Sequence, residues 1–232
     1  MNKKEAYKEG FKLGVPIGMG YFAVAVALGI TARGIGMTPL QAGAMSMGML
    51  ASAGEFAAVS LIGGGAGALE MIFTTVIVNL RYILMGAALS QKLDEKMPLR
   101  HRFGISYCIT DEIFAVCQAQ EGRLDPYFAY GVTGIAAAGW TAGTVFGVVM
   151  GNILPPWLVN ALSVALYGMF LAVIIPASRK ERFIGMVVAV SMLLSLLFSV
   201  LPLLRGISSG FKVIILTILI AGAAAWIRPV DE

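Results

Sequence analysis

Charge is scarce in this chain: 13% of its 232 residues are Asp, Glu, Lys or Arg, whereas 58% are hydrophobic and the mean hydropathy is +0.84. A soluble domain carries about 25% charged residues, so the composition excludes an ordinary soluble protein and indicates membrane segments. The basic residues lie in short loops between apolar runs, where membrane proteins keep their topology signals. The net charge of +4 therefore does not indicate a nucleic-acid partner, and we expect none.

Cysteine and histidine are also rare. The two cysteines, Cys108 and Cys117, fit no metal-binding or redox spacing, and the single histidine, His101, lies in a basic loop. The sequence contains no phosphate-binding glycine loop, zinc-protease motif or nucleophile elbow. We therefore expect no enzymatic activity, cofactor or metal site. An integral-membrane enzyme acting on lipid is the weaker alternative, because a nucleophile or metal cluster at an interface is missing. Active transport would need an ion gradient, a partner or the substrate's own gradient.

Seven apolar stretches are long enough to cross a bilayer, which takes about 20 residues. They run approximately over 13–32, 39–62, 69–90, 127–150, 157–176, 183–204 and 207–227. An eighth stretch, 103–120, is apolar except for Thr110, Asp111 and Glu112 at its centre. The N-terminal lysines precede an apolar run that more apolar runs follow, so we interpret it as an uncleaved first transmembrane helix. The prediction is an all-α, polytopic membrane protein with one transporter domain over 1–232.

The distribution of Lys and Arg favours a topology with two re-entrant segments. If all seven stretches cross, 6 basic residues fall inside and 10 outside, against the positive-inside rule. If 39–62 and 103–120 instead enter and return to the same side, six segments cross, both termini are cytoplasmic, and the split is 13 inside to 3 outside. The outside residues are then Arg33, Arg205 and Lys212. The simpler alternative, that one or both segments cross, stays open.

Both proposed re-entrant segments contain polar residues where a helix can open. These are Ser52 to Glu55 in the first and Thr110 to Glu112 in the second. Freed backbone groups at membrane depth are tolerated only when they are buried in protein or line a cavity. Secondary transporters often build a midplane binding site from two such discontinuous helices. The pattern predicts a polar site where the two breaks meet.

Four ionisable residues lie at membrane depth: Glu55, Arg81, Asp111 and Glu112. Arg81 carries the only charge between Met71 and Leu89, and an arginine at the bilayer centre costs about 2.5–3.5 kcal/mol on insertion scales. It should therefore face the protein interior, with an acidic partner or an anionic ligand. Two interpretations remain open, a substrate or proton site and a structural ion pair.

Five further residues complete the candidate binding site. Asn79 and Tyr82 flank Arg81 closely, but positions i and i+2 do not share a helix face, so Asn79 joins Arg81 only if the helix is bent. Thr110 precedes the acidic pair, and Phe56 and Phe114 are candidate apolar walls. Separately, a glycine stripe allows close helix contact, either as an internal seam or as a docking face. It comprises Gly139, Gly143, Gly147 and Gly151.

Three runs of the chain stand out together: Ala-Gly-Glu-Phe-Ala at 53–57, Asn-Leu-Arg-Tyr-Ile-Leu-Met at 79–85 and Thr-Asp-Glu-Ile-Phe at 110–114. In this order and at this distance they resemble the AzlC-type family of large subunits of branched-chain amino acid exporters. The resemblance implies efflux of valine, leucine, isoleucine or similar amino acids through the cytoplasmic membrane. It also implies a small membrane partner of the AzlD type. Where the family pattern has glutamine, this chain has Glu55, an added carboxylate that bears on the choice of substrate or on ion coupling.

The residues fit that expectation chemically. A zwitterionic amino acid needs a cation for its carboxylate, an anion or carbonyls for its ammonium and an apolar pocket for its side chain. Arg81 suits the first, and Asp111, Glu112 or Glu55 suits the second, while opened helix ends serve both. The alternative function is an ion or proton channel, or a transporter of another small solute.

Overall fold

The computed structural model describes residues 2–151, 178–201 and 209–228, with isolated residues between 153 and 175 and residue 207. Within this part of the chain every regular element is a helix, which confirms the all-α prediction. In order, the helices are α1 (Lys3–Gly34), α2 (Pro39–Met49), α3 (Ser52–Gly63), α4 (Ala68–Asn79), α5 (Arg81–Ser90), α6 (Leu99–Ser106), α7 (Asp111–Ala119), α8 (Pro126–Met150), α9 (Arg182–Val200) and α10 (Ser209–Ile227).

The chain divides into two compact units. The first comprises residues Met1–Phe56 and Asn79–Ala165, and the second comprises Ala57–Val78 and Leu166–Glu232. In the second unit α9 packs against α10. All the candidate site residues lie in the first unit. A single transporter domain over 1–232 stays a prediction.

Local sequence accounts for several helix starts in the first unit. The Thr38 hydroxyl accepts a hydrogen bond from the Gln41 backbone N–H, and Pro39 occupies the first helical position of α2. Asp125 caps α8 in the same way, accepting from the Tyr127 backbone N–H at 2.8 Å. Each cap satisfies a backbone donor that the first turn of a helix otherwise leaves unpaired.

Glycines allow α1 and α8 to pack backbone against backbone. A Cβ at Gly10 would lie 2.1 Å from the Phe128 carbonyl oxygen, and one at Gly29 would lie 2.1 Å from the Thr144 carbonyl oxygen. Neither position therefore has room for a side chain. The glycine stripe of α8 lies in the same contact, with Gly139 against Gly18, Gly143 against Phe22 and Gly147 against Val26. The interpretation of the stripe as an internal seam holds for these three glycines.

The same contacts give the direction of the two helices. The early residue Gly10 of α1 meets the early residue Phe128 of α8, and the later Gly29 meets the later Thr144. The helices are therefore parallel, and their N-terminal ends lie at the same end of the first unit. Lys3 Nζ accordingly lies 5.2 Å from the centre of the Tyr127 ring.

Helices α6 and α7 form a hairpin that returns to its starting end. The loop before α6 contacts the segment after α7, because Lys92 Nζ donates to the Gln118 carbonyl at 2.6 Å and Leu124 N donates to the Lys92 carbonyl at 2.9 Å. The two helices have 8 and 9 residues, so each is only about 12–14 Å long, less than half of a bilayer core of about 30 Å. This geometry agrees with the predicted return of segment 103–120.

An ion pair links the same two loops. Asp94 Oδ2 lies 2.7 Å from Arg123 Nη1. The Lys96 backbone N–H, and after it the Arg123 side chain, lower the pKa of Asp94 below its usual value. The carboxylate therefore stays ionised at neutral pH and keeps the loops together.

Segment 39–62 is broken, as predicted, although the break precedes the expected residues. Helix α2 ends at Met49 and α3 begins at Ser52, so Leu50 and Ala51 form the break and Ser52 to Glu55 form the first turn of α3. Leu50 adopts the left-handed conformation, with φ 44°, which is uncommon for a residue other than glycine. An apolar leucine carries no turn signal, and the sequence therefore pointed to the neighbouring glycine.

The count of full spans is lower than the six predicted. The described residues contain three helices long and apolar enough to cross a membrane, α1, α8 and α9, or four if α4 and α5 count as one span bent by 44° around Leu80. By hydropathy and length, 69–90 is one apolar stretch. The residue at the bend is itself apolar, so the composition of the stretch does not indicate the bend. The predicted span 157–176 lies outside the residues that the structure describes consecutively.

Candidate functional site

The two broken segments meet at their tips, halfway along α1 and α8. The Tyr107 hydroxyl, at the turn between α6 and α7, donates to the carbonyl oxygen of Met47 at the end of α2. A small enclosed cavity lies at this junction. Its lining comes from both breaks and from the middle of α1 and α8: Tyr21, Leu50, Ser52, Cys108, Thr110, Ala137 and Trp140.

The cavity holds little more than one water molecule, with about 10 Å³ available to the molecule's centre. Three of the residues around it carry side-chain hydroxyls, Tyr21, Ser52 and Thr110, so the lining is partly polar. An amino acid does not fit there without movement of the surrounding helices. The described conformation is therefore closed at this point.

Arg81 and Asp111 form an ion pair beside this junction. Arg81 Nη1 lies 2.8 Å from Asp111 Oδ2, and the two side chains are 39% and 34% exposed. Each residue is the first of its helix, α5 and α7 respectively. The N-terminal end of a helix attracts anions, so Asp111 is stabilised both by the guanidinium and by the end of α7.

Asp111 contacts the Arg81 guanidinium through Nη1 only. Its Nη2 donates to the Tyr82 hydroxyl at 3.3 Å, and the group lies 5.1 Å from the centre of the Tyr82 ring. Its Nε is buried and has no hydrogen-bond acceptor among the described residues. This unpaired N–H can donate to a second carboxylate, because a guanidinium can bind a carboxylate through two parallel hydrogen bonds.

Tyr21 of α1 forms a hydrogen bond with Glu112, the other acidic residue of α7. Its hydroxyl lies 2.5 Å from Glu112 Oε2 and 2.6 Å from Thr110 Oγ1. The Thr110 oxygen also caps α7 by accepting from the Ile113 backbone N–H. Sequence reasoning missed Tyr21; the available signal was a hydroxyl inside an otherwise apolar first span.

Glu55 is fully buried in a separate ring of hydrogen bonds. Its Oε1 accepts from Trp140 Nε1 at 2.8 Å, and its Oε2 lies 2.7 Å from Ser46 Oγ. Ser46 Oγ in turn lies 2.8 Å from Thr144 Oγ1, which lies 3.1 Å from the Trp140 carbonyl oxygen. The ring joins α2, α3 and α8. Trp140 also meets the Tyr21 ring edge-on at 5.7 Å between centres.

Three other predicted residues, Asn79, Phe56 and Phe114, do not contact the Arg81–Asp111 pair in the hydrogen bonds and ion pairs described above. The side chain of Asn79, the last residue of α4, lies against Gly54, where a Cβ would be 2.7 Å from Asn79 Nδ2. Asn79 Oδ1 is buried without a partner among the described residues. Phe56 and Phe114 are half-buried and do not line the cavity. The structure thus brings together Arg81, Tyr82 and Asp111, and beside them Thr110 and Glu112.

Comparison with known proteins places these features in a family. The model of the family described as AzlC protein matches residues 16–154. A protein of Archaeoglobus fulgidus named as a membrane protein is 31% identical over 180 residues, which cover 76% of this chain and 78% of that protein. The inner membrane protein YgaZ of Escherichia coli is 24% identical over 76% of this chain and 75% of its own length.

A third relative has a name that states an activity. The branched-chain amino acid transport protein AzlC of Bacillus subtilis is 23% identical over 189 residues, covering 78% of this chain and 73% of that protein. No solved structure matches the chain significantly. The matched region, 16–154, includes every residue of the candidate site.

Proposed function

The chain belongs to the AzlC family, and we propose that it is a secondary transporter subunit that exports branched-chain or similar neutral amino acids across the cytoplasmic membrane. Its apolar helices and its membrane-protein relatives support a place in the membrane. The name of the Bacillus subtilis relative, a branched-chain amino acid transport protein, supports amino acid transport. The outward direction in this proposal rests on the family resemblance.

The observation that carries the proposal is the Arg81–Asp111 pair beside the junction of two broken segments. A zwitterionic amino acid presents one carboxylate and one ammonium a short distance apart. The Arg81 guanidinium, with its unused Nε, is the ligand for the carboxylate, and Asp111 or Glu112 is the ligand for the ammonium. The substrate thus replaces the Arg81–Asp111 ion pair, and because a zwitterion carries no net charge, the net charge of the site is the same with and without it.

The small size of the cavity implies a conformational step in this proposal. Because the space at the junction holds about one water molecule, a substrate held by Arg81 and Asp111 extends into it only if the tips of the two broken segments separate. The Tyr107–Met47 contact is the hydrogen bond that this separation breaks. Alternating access through movement about a midplane site is common among secondary transporters.

The proposed topology places both termini in the cytoplasm, with six crossings. The split of basic residues, 13 inside and 3 outside, supports it. The parallel α1 and α8 also support it, because an odd number of crossings must separate two spanning helices that run in the same direction, and here the one crossing between them is 69–90. With seven simple spans, the helices would run in opposite directions.

The proposed partner is a small membrane subunit of the AzlD type, which rests on the family resemblance. Affinity purification of the tagged chain from a membrane extract, with and without the coexpressed subunit, tests this part. Recovery of the two proteins in a fixed ratio is the expected result. Independent migration of the two proteins would contradict the partnership.

Efflux from cells preloaded with dipeptides tests the function. Cells that express the chain with its partner should export valine, leucine, isoleucine or methionine faster than cells that express Arg81→Gln with the same partner. Proton and ion flux is measured in parallel in proteoliposomes. Ion flux without amino acid efflux would replace the proposal with the channel alternative.

A further inference from the structure

We propose that Glu55 is a proton-binding site, protonated at neutral pH in this conformation, and that it is not a ligand for the substrate. Glu55 has no exposed surface. Among the described residues, no Lys, Arg or His forms an ion pair with it, since Arg81 pairs with Asp111. A buried carboxylate without a cation is unfavourable, whereas a buried carboxylic acid needs only hydrogen-bond partners.

The hydrogen-bond ring around Glu55 has four contacts and therefore needs four protons. Ser46, Thr144 and the Trp140 indole supply one proton each, which makes three. With an ionised Glu55, one pair of oxygens in the ring would face each other without a proton.

A protonated Glu55 completes the ring in one direction. Its carboxyl O–H donates to Ser46, the Ser46 hydroxyl donates to Thr144, and the Thr144 hydroxyl donates to the Trp140 carbonyl oxygen. The Trp140 indole N–H then donates back to Glu55 Oε1. Every proton has an acceptor, which is the usual state of buried polar groups.

The side chains that contact Glu55 offer no positive charge to balance a carboxylate. Helix α2 contributes Ser46, and α8 contributes Trp140 and Thr144, none of which carries a charge. Beyond Trp140 lies Tyr21 of α1, whose hydroxyl is engaged with Glu112 and Thr110.

Proton loss from Glu55 would leave a negative charge without a cation in the buried ring next to the cavity. The ring connects α2 and α3, which lie on either side of the break at Leu50, to α8. Leu50 and Ser52 also line the cavity. Because a buried charge without a cation is unfavourable, release of the proton favours hydration of Glu55 and opening of the junction. This consequence, a link between proton binding and opening of the site, rests on the proposed transport function.

Infrared spectroscopy of the purified full chain at neutral pH tests the protonation. A carboxylic acid in an apolar site gives a C=O stretching band separate from the amide and carboxylate bands. We expect such a band in the wild type, its loss in Glu55→Gln and its retention in Asp111→Asn and Glu112→Gln. In Ser46→Ala, which keeps Glu55 but removes its acceptor, the band should shift to higher frequency.

Two results would overturn the protonation: a wild type without the band, or a band that persists in Glu55→Gln and does not shift in Ser46→Ala. Efflux tests the link separately. Since glutamine preserves the shape but binds no proton, Glu55→Gln should export with a flatter pH profile than the wild type. An unchanged profile would overturn the link and leave the infrared result intact. Absence of efflux from both proteins would reject the proposed function alone.

Discussion

Arg81 and Asp111 each begin a short helix, and their side chains form an ion pair at 2.8 Å across 30 residues of sequence. The pair joins the bend after α4 to the tip of the α6–α7 hairpin. Its two charges cancel, and both side chains remain partly accessible, at 39% and 34%. The two charges are therefore accessible rather than buried, so a ligand can replace either member of the pair.

Substitution of Arg81 tests its role in transport. Arg81→Gln and Arg81→Lys should each lower efflux roughly tenfold or more, since hydrogen bonds to a charged group contribute about 1.5–3 kcal/mol. Lysine keeps the charge but lacks the planar fork that holds a carboxylate. Efflux and folded yield are measured for Arg81→Gln, Asp111→Asn and the double variant. Full activity in the double variant would reject a ligand role and leave only a structural ion pair.

The acidic residues of α7 give a second prediction. Asp111→Asn and Glu112→Gln should strongly reduce efflux while the protein still folds, because each change removes a charge and preserves the shape. The comparison is made from pH 6 to pH 8, with initial efflux rates normalised to the amount of folded protein. Wild-type rates for both variants over this range would show that neither carboxylate binds the ammonium group or carries an essential proton.

Tyr21 gives a third prediction, with a matched control on the same helix. Tyr21→Phe removes the hydroxyl beside Glu112 and Thr110, so it should reduce efflux several-fold and destabilise the closed conformation by roughly 1–2 kcal/mol. Tyr7→Phe is the control, since the Tyr7 side chain is 43% exposed and lies away from the site. Equal behaviour of the two variants in efflux and thermal unfolding would contradict a positioning role for Tyr21.

The α1–α8 seam gives a fourth prediction. A methyl group at Gly29 would meet the Thr144 carbonyl oxygen, whereas one at Gly20 of the same helix has nothing within 4 Å. Gly29→Ala should therefore lower stability by about 1–3 kcal/mol, and Gly20→Ala should leave it unchanged or slightly higher. Thermal unfolding in detergent measures both. A Gly29→Ala protein as stable as Gly20→Ala would mean that the helices do not pack this closely.

Cysteine labelling tests the topology. With both termini and the loops 91–102 and 177–182 in the cytoplasm, single cysteines at Lys96 and Lys180 should resist impermeant thiol reagents in intact cells. A cysteine at Arg33, on the proposed outer side, should react quickly. Cys108 and Cys117 are buried and can be replaced by serine to remove background. Fast labelling at Lys96 or Lys180 from outside would eliminate the arrangement with two re-entrant segments.

Much of this architecture follows from local features of the sequence. The length of the apolar stretches predicted the long helices α1, α8 and α9. About twenty apolar residues span a bilayer, and a helix pairs all their backbone polar groups internally. Thr110 before two carboxylates predicted the break that precedes α7, since this run suits a helix start. The break near Leu50 was placed a few residues late, because the residue in the left-handed conformation is not a glycine.

The sequence by itself determined that this is an all-helical membrane protein with charges at membrane depth that require partners. Which partner each charge has was decided only by the tertiary structure. Arg81 was matched to Asp111, Glu112 to Tyr21, and Glu55 to Trp140 and Ser46. These choices depend on the relative depth and rotation of helices far apart in the chain, which close packing sets, as along the α1–α8 glycine seam. Local sequence can demand a partner for a buried charge, but only packing brings one within hydrogen-bond distance.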